Sequence, residues 1–140
     1  MQKTLVIIKP DAVQRRLIGK IINRFDEKGL EIIGLKMTVI SKELVKEHYS
    51  VHEGKDYYKK LVDFMTSGPV VIMVLRGKQA IKVTRKMMGS TFGHEAEPGT
   101  IRGDFAISKR FNLLHGSDSK ESAGKEISLF FENGDLIEND

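Results

Sequence analysis

The sequence contains no cysteine among its 140 residues. Disulfide bonds, cysteine-based zinc sites and thiol catalysis are therefore excluded, and the composition is compatible with a reducing cytosol. The N-terminal segment has one short apolar run, Leu5 to Ile8, which is too short for a secretion signal. No segment approaches the roughly 18 apolar residues that a membrane helix requires. These absences predict a cytoplasmic protein without membrane contact.

Signatures of several large enzyme classes are also missing. The P-loop pattern G-x-x-x-x-G-K-[ST] does not occur, because the run from Gly116 to Lys125 has the wrong glycine spacing and continues with Glu126. Neither G-x-G-x-x-G nor the protein-kinase motifs H-R-D and D-F-G are found. The sequence therefore carries no P-loop, dinucleotide-binding or protein-kinase signature.

Charges of both signs are present and only mildly unbalanced. The chain has 23 lysine and arginine residues against 19 aspartate and glutamate residues, which gives a formal net charge of +4. Five basic residues fall on one predicted helix. They form either a solvated helix face, which we favour, or a nucleic-acid-binding patch. These residues are Arg15, Arg16, Lys20, Arg24 and Lys28.

Hydrophobic periodicity predicts the fold, and the length fits a single domain, residues 1–140. The order of elements is βαββαβ with a helical insert and a C-terminal helix. This order predicts an α+β, ferredoxin-like fold, in which helices pack on one face of a four-stranded antiparallel sheet. The predicted strands are Lys3–Ile8, Leu30–Val39, Val70–Leu75 and Phe105–Ile107. The predicted helices include Ile18–Phe25, a short helix after Ser41, Tyr58–Met65, Gln79–Met88 and Ser119–Phe131, with a long loop over Gly89–Gly103.

Three of the four histidines have simple explanations. His48 and His52 are four residues apart and could share a helix face, where Glu53 would complete a metal site. The alternative, which we favour, is two surface histidines on a short helix. His94 lies in the long loop, and exposure to solvent accounts for it.

His115 has more informative neighbours. Gly116 would leave open backbone space beside the imidazole, and Ser117-Asp118-Ser119 can cap the final helix. His115 would then lie in a turn at a helix N-terminus, where free N–H groups and a partial positive charge favour a phosphate. A neutral imidazole in that position could act as a nucleophile at pH 7. A helix-capping turn without catalysis is the alternative.

A second group of residues suits a phosphate. Arg102 is a planar, permanently charged donor at the end of the long loop. Arg85 on the preceding helix, Thr91 as a neutral donor and Lys9 at the end of the first strand are further candidates. Each of them could equally be an ordinary surface residue.

Together these segments resemble the nucleoside diphosphate kinase family, in order and over essentially the whole chain. The most specific match is the run His115-Gly116-Ser117-Asp118. The sequence departs from many members at Phe92-Gly93, where they carry Asn-Pro, and it lacks the longer C-terminal arm of some. The other matching segments are Ile8-Lys9-Pro10-Asp11, Pro98-Gly99-Thr100-Ile101-Arg102-Gly103-Asp104-Phe105, Asn112, Ser119, Ser122-Ala123 and Lys125-Glu126-Ile127.

The resemblance implies a kinase that moves the γ-phosphate of a nucleoside triphosphate, mainly ATP, to a nucleoside diphosphate in two steps. Mg²⁺ would be carried mainly by the nucleotide phosphates rather than by protein ligands. We expect broad base specificity, because stacking suits any base and the sequence offers no candidates for buried partners of a base edge. The resemblance also implies a homo-oligomer, and a hexamer is favoured over a tetramer.

The resemblance assigns roles to individual positions. His115 matches the phosphorylated histidine, and Ser117 and Glu126 match a supporting pair near it. Tyr49 matches a tyrosine beside the histidine, whereas Tyr57 and Lys109 match positions on the two sides of the base. The positions that hold the phosphates or the sugar are matched by Lys9, Arg85, Thr91, Arg102 and Asn112.

Two alternatives are weaker. The RNA recognition motif is also βαββαβ, but here Asp104 occupies the position of a stacking aromatic residue in its RNP1 signature. Nucleic-acid binding is therefore not expected as the main function. A non-catalytic member of the family would be expected to have lost the histidine or the phosphate-binding residues, and all of these are present.

Overall fold

The computed structural model describes residues 1–138, so residues 139 and 140 of the predicted domain lie outside the described part. Short 3-10 helices cover Ser50–His52, Gly93–Glu95 and Asn133–Asp135. The strands and α-helices of the described chain are β1 (Gln2–Ile8), α1 (Pro10–Gln14), α2 (Ile18–Lys28), β2 (Glu31–Thr38), α3 (Lys42–His48), α4 (Tyr58–Met65), β3 (Val70–Gly77), α5 (Ala80–Met88), α6 (Ile101–Phe105), β4 (Leu114–Gly116) and α7 (Lys120–Phe130).

The strands form one sheet in the order β2-β3-β1-β4, and every neighbouring pair is antiparallel. This topology confirms the predicted α+β, ferredoxin-like fold. β1 and β3 are the central strands, and their apolar side chains are buried on both faces of the sheet. β4 is a short edge strand, in which His115 is paired with Ile7 of β1.

The sheet has an apolar layer on each face, because alternate side chains of a strand point to opposite sides. Val6 and Ile8 belong to a layer with residues of α2 and α5, such as Phe25 and Met88. Leu5 and Ile7 instead belong to a layer with residues of α3, α4 and α7. Helices therefore cover both faces rather than the predicted one, because the helical insert and the C-terminal helix bury the second face.

The predicted fourth strand at Phe105–Ile107 is wrong. Phe105 ends helix α6, and Ile107 is 82% exposed. The side chain of Thr100 caps α6 by accepting a hydrogen bond from the N–H of Gly103, as helix N-termini require. The long loop is thus partly helical, and the fourth strand lies further along the chain at Leu114–Gly116.

The five basic residues do not share one helix, because Arg15 and Arg16 lie in the turn between α1 and α2. They are largely exposed, but two of them contact α6. Arg15 donates a hydrogen bond to the carbonyl of Phe105, and Arg24 forms an ion pair with Asp104. Within residues 1–138, none of the helices is long and apolar enough to cross a membrane.

Candidate active site

His115 lies on β4, at the edge of the sheet. Pairing of β4 with β1 brings it near Lys9, which follows the last residue of β1 and donates its backbone N–H to the carbonyl of Leu113 at 2.8 Å. The predicted position in a turn at a helix N-terminus is wrong, because α7 begins only at Lys120. The backbone of His115 is therefore held by a strand rather than by a loop.

A carboxylate orients the imidazole of His115. Oε1 of Glu126 lies 3.0 Å from Nε2 of His115 and accepts a hydrogen bond from the hydroxyl of Ser117 at 2.7 Å. The other carboxylate oxygen accepts from the hydroxyl of Ser122 at 3.0 Å. Since an ionised carboxylate only accepts hydrogen bonds, the ring proton lies on Nε2. The lone pair of the neutral imidazole is then on Nδ1.

Glu126 is ionised although it is buried. Burial by itself would raise its pKa, but the hydrogen bonds from His115 and Ser117 lower that pKa to about 2. The carboxylate therefore keeps its charge throughout the neutral range. Ser122, to which the sequence analysis gave no role, contributes a third hydrogen bond to this group.

Two arginines occupy the outer edge of β4. Backbone groups alternate in direction along a strand, so the carbonyls of residues 112, 114 and 116 point away from β1. Arg102 donates to the carbonyls of Asn112 at 3.0 Å and Leu114 at 2.7 Å. Arg85 donates to the carbonyl of Gly116 at 2.9 Å. The outward-facing carbonyls at this edge, which a further strand would otherwise pair, accept hydrogen bonds from two guanidinium groups instead.

Arg102 is nearly enclosed by protein, with 5% of its surface exposed. Its third nitrogen donates to the carbonyl of Gly89 at 3.0 Å. A guanidinium has five N–H donors, so two are available to a ligand after these three bonds. Burial and the charge of Arg85 lower the pKa of Arg102 to about 10, which leaves it protonated at neutral pH.

Gly116 allows α5 to approach β4 closely. A Cβ atom at this position would lie 2.5 Å from the sulfur of Met88. The predicted open space beside the imidazole is therefore wrong, because Met88 fills it. The close approach brings Arg85, which lies on α5, to the carbonyl of Gly116.

Lys9, Asn112 and Thr91 form a chain of hydrogen bonds beside β4. The ammonium group of Lys9 donates to Oδ1 of Asn112 at 2.9 Å, and the amide of Asn112 donates to the carbonyl of Thr91 at 3.2 Å. Burial and the charge of Arg102 lower the pKa of Lys9 to about 8. The structure thus brings Lys9, Arg85, Arg102 and Asn112 to one strand, whereas Thr91 is exposed and joins them through its backbone.

A strained residue precedes His115 by two positions. Leu113 is buried with a φ of 77°, which residues other than glycine rarely adopt. Its N–H donates to the carboxylate of Asp11 at 3.1 Å, and its carbonyl accepts from the backbone N–H of Lys9. Asp11 therefore supports the site from α1, a role that the motif alone did not reveal.

His48 packs edge-on against His115, with 4.8 Å between the ring centroids and 88° between the planes. Its other neighbours include Tyr49, which is buried, and Phe130. Burial lowers the pKa of His48 to about 4, so its ring is neutral at pH 7. Both interpretations from the sequence, a metal site with His52 and Glu53 and a surface position, are wrong for His48.

The residues expected to contact a base lie on exposed surface. Tyr57 is 47% exposed, and its hydroxyl is 2.8 Å from Nδ1 of His52. Lys109 lies over the ring of Phe92, with 5.3 Å between its Nζ atom and the centroid. In the described part of the chain, these side chains contact other side chains near the surface.

The candidate site combines an imidazole with positive charge. His115 and Glu126 line a cavity of about 450 Å³, and Arg85 lines a second cavity of about 630 Å³. Asp118 and Ser119 border both cavities. The imidazole of His115 has its lone pair on Nδ1. Arg85 and Arg102 reach the edge of β4 from α5 and α6, and Lys9 reaches Asn112 from the end of β1. This arrangement is suited to accept a phosphoryl group.

Comparisons with known proteins agree with this chemistry. The sequence profile of the family described as nucleoside diphosphate kinase matches residues 2–136. A nucleoside diphosphate kinase of Methanocaldococcus jannaschii is 52% identical over 137 residues, which are 98% of each chain. Another, from Bacillus licheniformis, is 53% identical over 140 residues, which cover all of this chain and 95% of that one.

A solved structure is also similar. The halophilic nucleoside diphosphate kinase from Halobacterium salinarum, in complex with CDP, superposes on this chain with a TM-score of 0.96. The two sequences are 45% identical, and the match covers 99% of this chain and 93% of that chain. The fold and the arrangement of the strands around His115 are therefore shared with an enzyme that binds a nucleotide.

Proposed function

Since this chain belongs to the nucleoside diphosphate kinase family and transfers phosphate between nucleoside triphosphates and diphosphates, we propose that His115 carries the phosphate from one nucleotide to the other. The observation that supports His115 most strongly is its bond to Glu126, which leaves the lone pair on Nδ1. Residues 1–140 would act as one domain in this reaction.

Each half of the reaction makes one bond and breaks one. Nδ1 attacks the γ-phosphorus of the triphosphate, the bond from phosphorus to the bridging oxygen breaks, and the diphosphate leaves. A terminal oxygen of the second diphosphate then attacks the phosphohistidine, and Nδ1 recovers its lone pair. Nε2 keeps its proton throughout, because Glu126 accepts its hydrogen bond in both halves.

The cationic residues that surround β4, Lys9, Arg85 and Arg102, stabilise the charge of the transferring group. Phosphoryl transfer depends mainly on positioning and on electrostatic stabilisation. Arg102 offers its two remaining N–H donors, and Arg85 and Lys9 add positive charge on either side. Because these groups are fixed by bonds to the backbone and to Asn112, they need little reorganisation when the phosphate arrives.

The reaction requires a divalent cation, and we propose that it is Mg²⁺ bound to the incoming nucleotide. Mg²⁺ prefers oxygen ligands and keeps several waters, so the phosphates can supply its main ligands. The side chains around β4 are cationic, which suits the phosphates and not a bare metal ion. The substrate is accordingly the magnesium complex of the nucleotide.

The base end of the site accepts purines and pyrimidines alike. An exposed aromatic ring such as Tyr57 stacks on any base. The related enzyme from Halobacterium salinarum was solved with a pyrimidine nucleotide, CDP. We expect ADP, GDP, CDP and UDP to compete as acceptors with similar kcat/KM values. A preference of more than about 100-fold for one base would require buried partners for that base and would reject this part of the proposal.

We also propose a cytoplasmic homo-oligomer, with a hexamer favoured over a tetramer. β2 is an edge strand, along which the exposed residues Leu35 and Met37 alternate, and exposed Val39 follows its last residue. Such an edge is suited to pairing with a second copy. Sedimentation equilibrium distinguishes six from four times the chain mass of 15.8 kDa. A monomer at micromolar concentration would reject the proposal.

Labelling tests the role of His115. The purified protein is incubated with γ-labelled ATP and Mg²⁺, separated from nucleotide, and then mixed with GDP or CDP. We expect acid-labile, alkali-stable label on the protein and its release to either acceptor. His115→Ala should abolish both, whereas His94→Ala, which removes an exposed histidine of the long loop, should leave both unchanged. Equal labelling of His115→Ala, or no labelling of the wild type, would contradict the proposal.

A further inference from the structure

His48 is buried in an unusual way for a histidine. Its side chain is 3% exposed, and neither ring nitrogen has a hydrogen-bond partner in the described part of the chain. Buried polar groups without partners destabilise a protein, so they require an explanation. The steps proposed for phosphate transfer do not use His48.

The two unpartnered nitrogens lie in a cluster of possible metal ligands. His48, His115 and Glu126 each offer one ligand atom, and these atoms lie within 4.8 Å of one another. Glu126 is 3.0 Å from Nε2 of His115 through one oxygen and 4.0 Å from Nδ1 of His48 through the other. The three side chains come from α3, β4 and α7, so the fold and not a local motif assembles them.

Two imidazoles and one carboxylate form a ligand set that suits zinc. Zn²⁺ binds such a set in open sites, with ligand bonds of roughly 2.0–2.2 Å and a fourth position left for water or another ligand. Tetrahedral bonds of that length separate the ligand atoms by roughly 3.4 Å, so the cluster would contract by little more than 1 Å. Mg²⁺ prefers oxygen ligands and would not compete well for this set.

The cluster is accessible to an ion from solvent. His48, His115 and Glu126 all line the cavity of about 450 Å³. The cavity gives an ion a path to the ligands and leaves room for its fourth ligand, as a metal site requires. Acidic and basic residues, Glu121 and Lys125, also line it.

We propose that His48, His115 and Glu126 form an inhibitory binding site for Zn²⁺. The inhibitory part of this inference rests on the proposed function of His115, whereas binding of the ion does not. Zn²⁺ would bond to Nε2 of His115 and to the carboxylate of Glu126 in place of their shared proton. That proton moves to Nδ1, so the imidazole stays neutral but loses the lone pair that attacks phosphorus. Zinc would thus inhibit the enzyme by fixing the wrong tautomer.

His48 and His115 would differ in function under this proposal. His115 is needed with or without zinc, whereas His48 is needed only for zinc binding. His48→Phe keeps a planar ring beside Tyr49 and Phe130 but removes both nitrogens. His94→Phe is the matched control, since it makes the same change at an exposed histidine outside the cluster.

Binding is measured first on the metal-free, full-length protein without nucleotide, by competition for Zn²⁺ against a chromogenic chelator. We expect the wild type and His94→Phe to bind one zinc ion per chain. His48→Phe should bind at least about tenfold more weakly. Wild-type zinc affinity in His48→Phe, or no zinc binding by the wild type, would overturn the inference.

Labelling from γ-labelled ATP and Mg²⁺ is then repeated over the same range of free zinc. Labelling of the wild type should fall as the site fills, and the midpoint for His48→Phe should shift to higher zinc by the same factor as its affinity. Equal inhibition of both proteins would overturn the inhibitory role. If the wild type binds zinc but never accepts label, the proposed function fails and the binding site stands.

A measurement on the wild type avoids any dependence on the folding of a variant. Zinc should move the NMR signals of the His48 and His115 rings and leave those of His52 and His94 unchanged. A shift at His52 or His94 without one at His48 would place the ion elsewhere and reject the site.

Discussion

The two ends of the proposed nucleotide site are built differently. At the phosphate end, Arg102 and Asn112 are buried, and each of the three nitrogens of Arg102 donates a hydrogen bond to a backbone carbonyl. At the base end, Tyr57 is about half exposed, and its side chain contacts only other side chains among the described interactions. The residues proposed to act on phosphorus are therefore held rigidly, whereas the surface proposed for the base is adaptable.

This difference matches the demands of the reaction. All nucleotides share the same phosphates, so a rigid arrangement there suits every substrate and accelerates transfer. The bases differ, and a rigid pocket with buried polar partners would select one of them. The comparison predicts large effects from changes at β4 and small effects from changes at the base end.

Arg102→Ala should have the largest effect, because it removes a phosphate donor and leaves three carbonyls without their partner. We expect kcat to fall by about 10²–10³, and the free energy of unfolding to fall by about 3 kcal/mol. Urea denaturation and steady-state assays measure these. Arg24→Ala, which removes an exposed ion pair with Asp104, should cost less than about 1 kcal/mol. If both variants lost kcat and free energy of unfolding to a similar extent, Arg102 would be no more important than an exposed arginine, which would contradict the account.

Glu126→Gln should destabilise the protein at pH 7 by about 2 kcal/mol, because it removes a charged acceptor of three hydrogen bonds. The pKa of Glu126 falls from 4.5 unfolded to about 2 folded. Its stabilisation is therefore present above pH 4.5 and is lost as the pH falls toward 2. Denaturation of both proteins between pH 7 and pH 3 should show the difference shrinking in acid. A constant difference would mean that the charge of Glu126 does not stabilise the fold.

We expect activity to fall in alkaline solution because Lys9 loses its positive charge there. Burial and the charge of Arg102 lower its pKa to about 8 in the free protein, so kcat/KM should fall about tenfold for each pH unit well above 8. Adenine nucleotides are suitable substrates, since their base does not ionise in this range. Lys9→Arg keeps its charge and should move the fall to higher pH. An unchanged profile would show that another group causes it.

Tyr57→Ala should have the smallest effect and should act on binding alone. Loss of one stacking contact weakens nucleotide binding by about 1–3 kcal/mol, so KM should rise while kcat changes little. Tyr57→Phe keeps the ring, loses only the bond to His52, and should stay within about twofold of the wild type. Measurements with ADP, GDP and CDP should give the same ratio for each. A loss confined to one base would mean that the base end is selective.

Much of the fold was predictable because long strands and helices have clear periodicity. The buried run from Val70 to Leu75 is one example, and it lies in central strand β3. β4 was not predictable, since it has three residues and depends on pairing with β1 and on two arginines. Phe105–Ile107 is a short apolar run of the kind that predicts a buried strand, but a helix ends there.

Site residues that belong to a sequence motif were predictable. Residues whose role depends on packing between distant segments were not. Lys9, Arg102 and His115 stand in recognisable motifs, and the structure brings all three to β4 or to its end. The burial of His48 depends on contacts with β4 and α7, which are more than 60 residues away in sequence. The positive φ of Leu113 depends likewise on Asp11, and no local signal accompanies a leucine in that conformation.

The position of the phosphate on the His115 ring tests the account most directly. The labelled protein is hydrolysed in alkali, and its phosphohistidine is compared by chromatography and ³¹P NMR with standards phosphorylated on each nitrogen. We predict the Nδ1 isomer, because Glu126 holds the proton on Nε2. The Nε2 isomer, or phosphate on any other residue, would contradict the account.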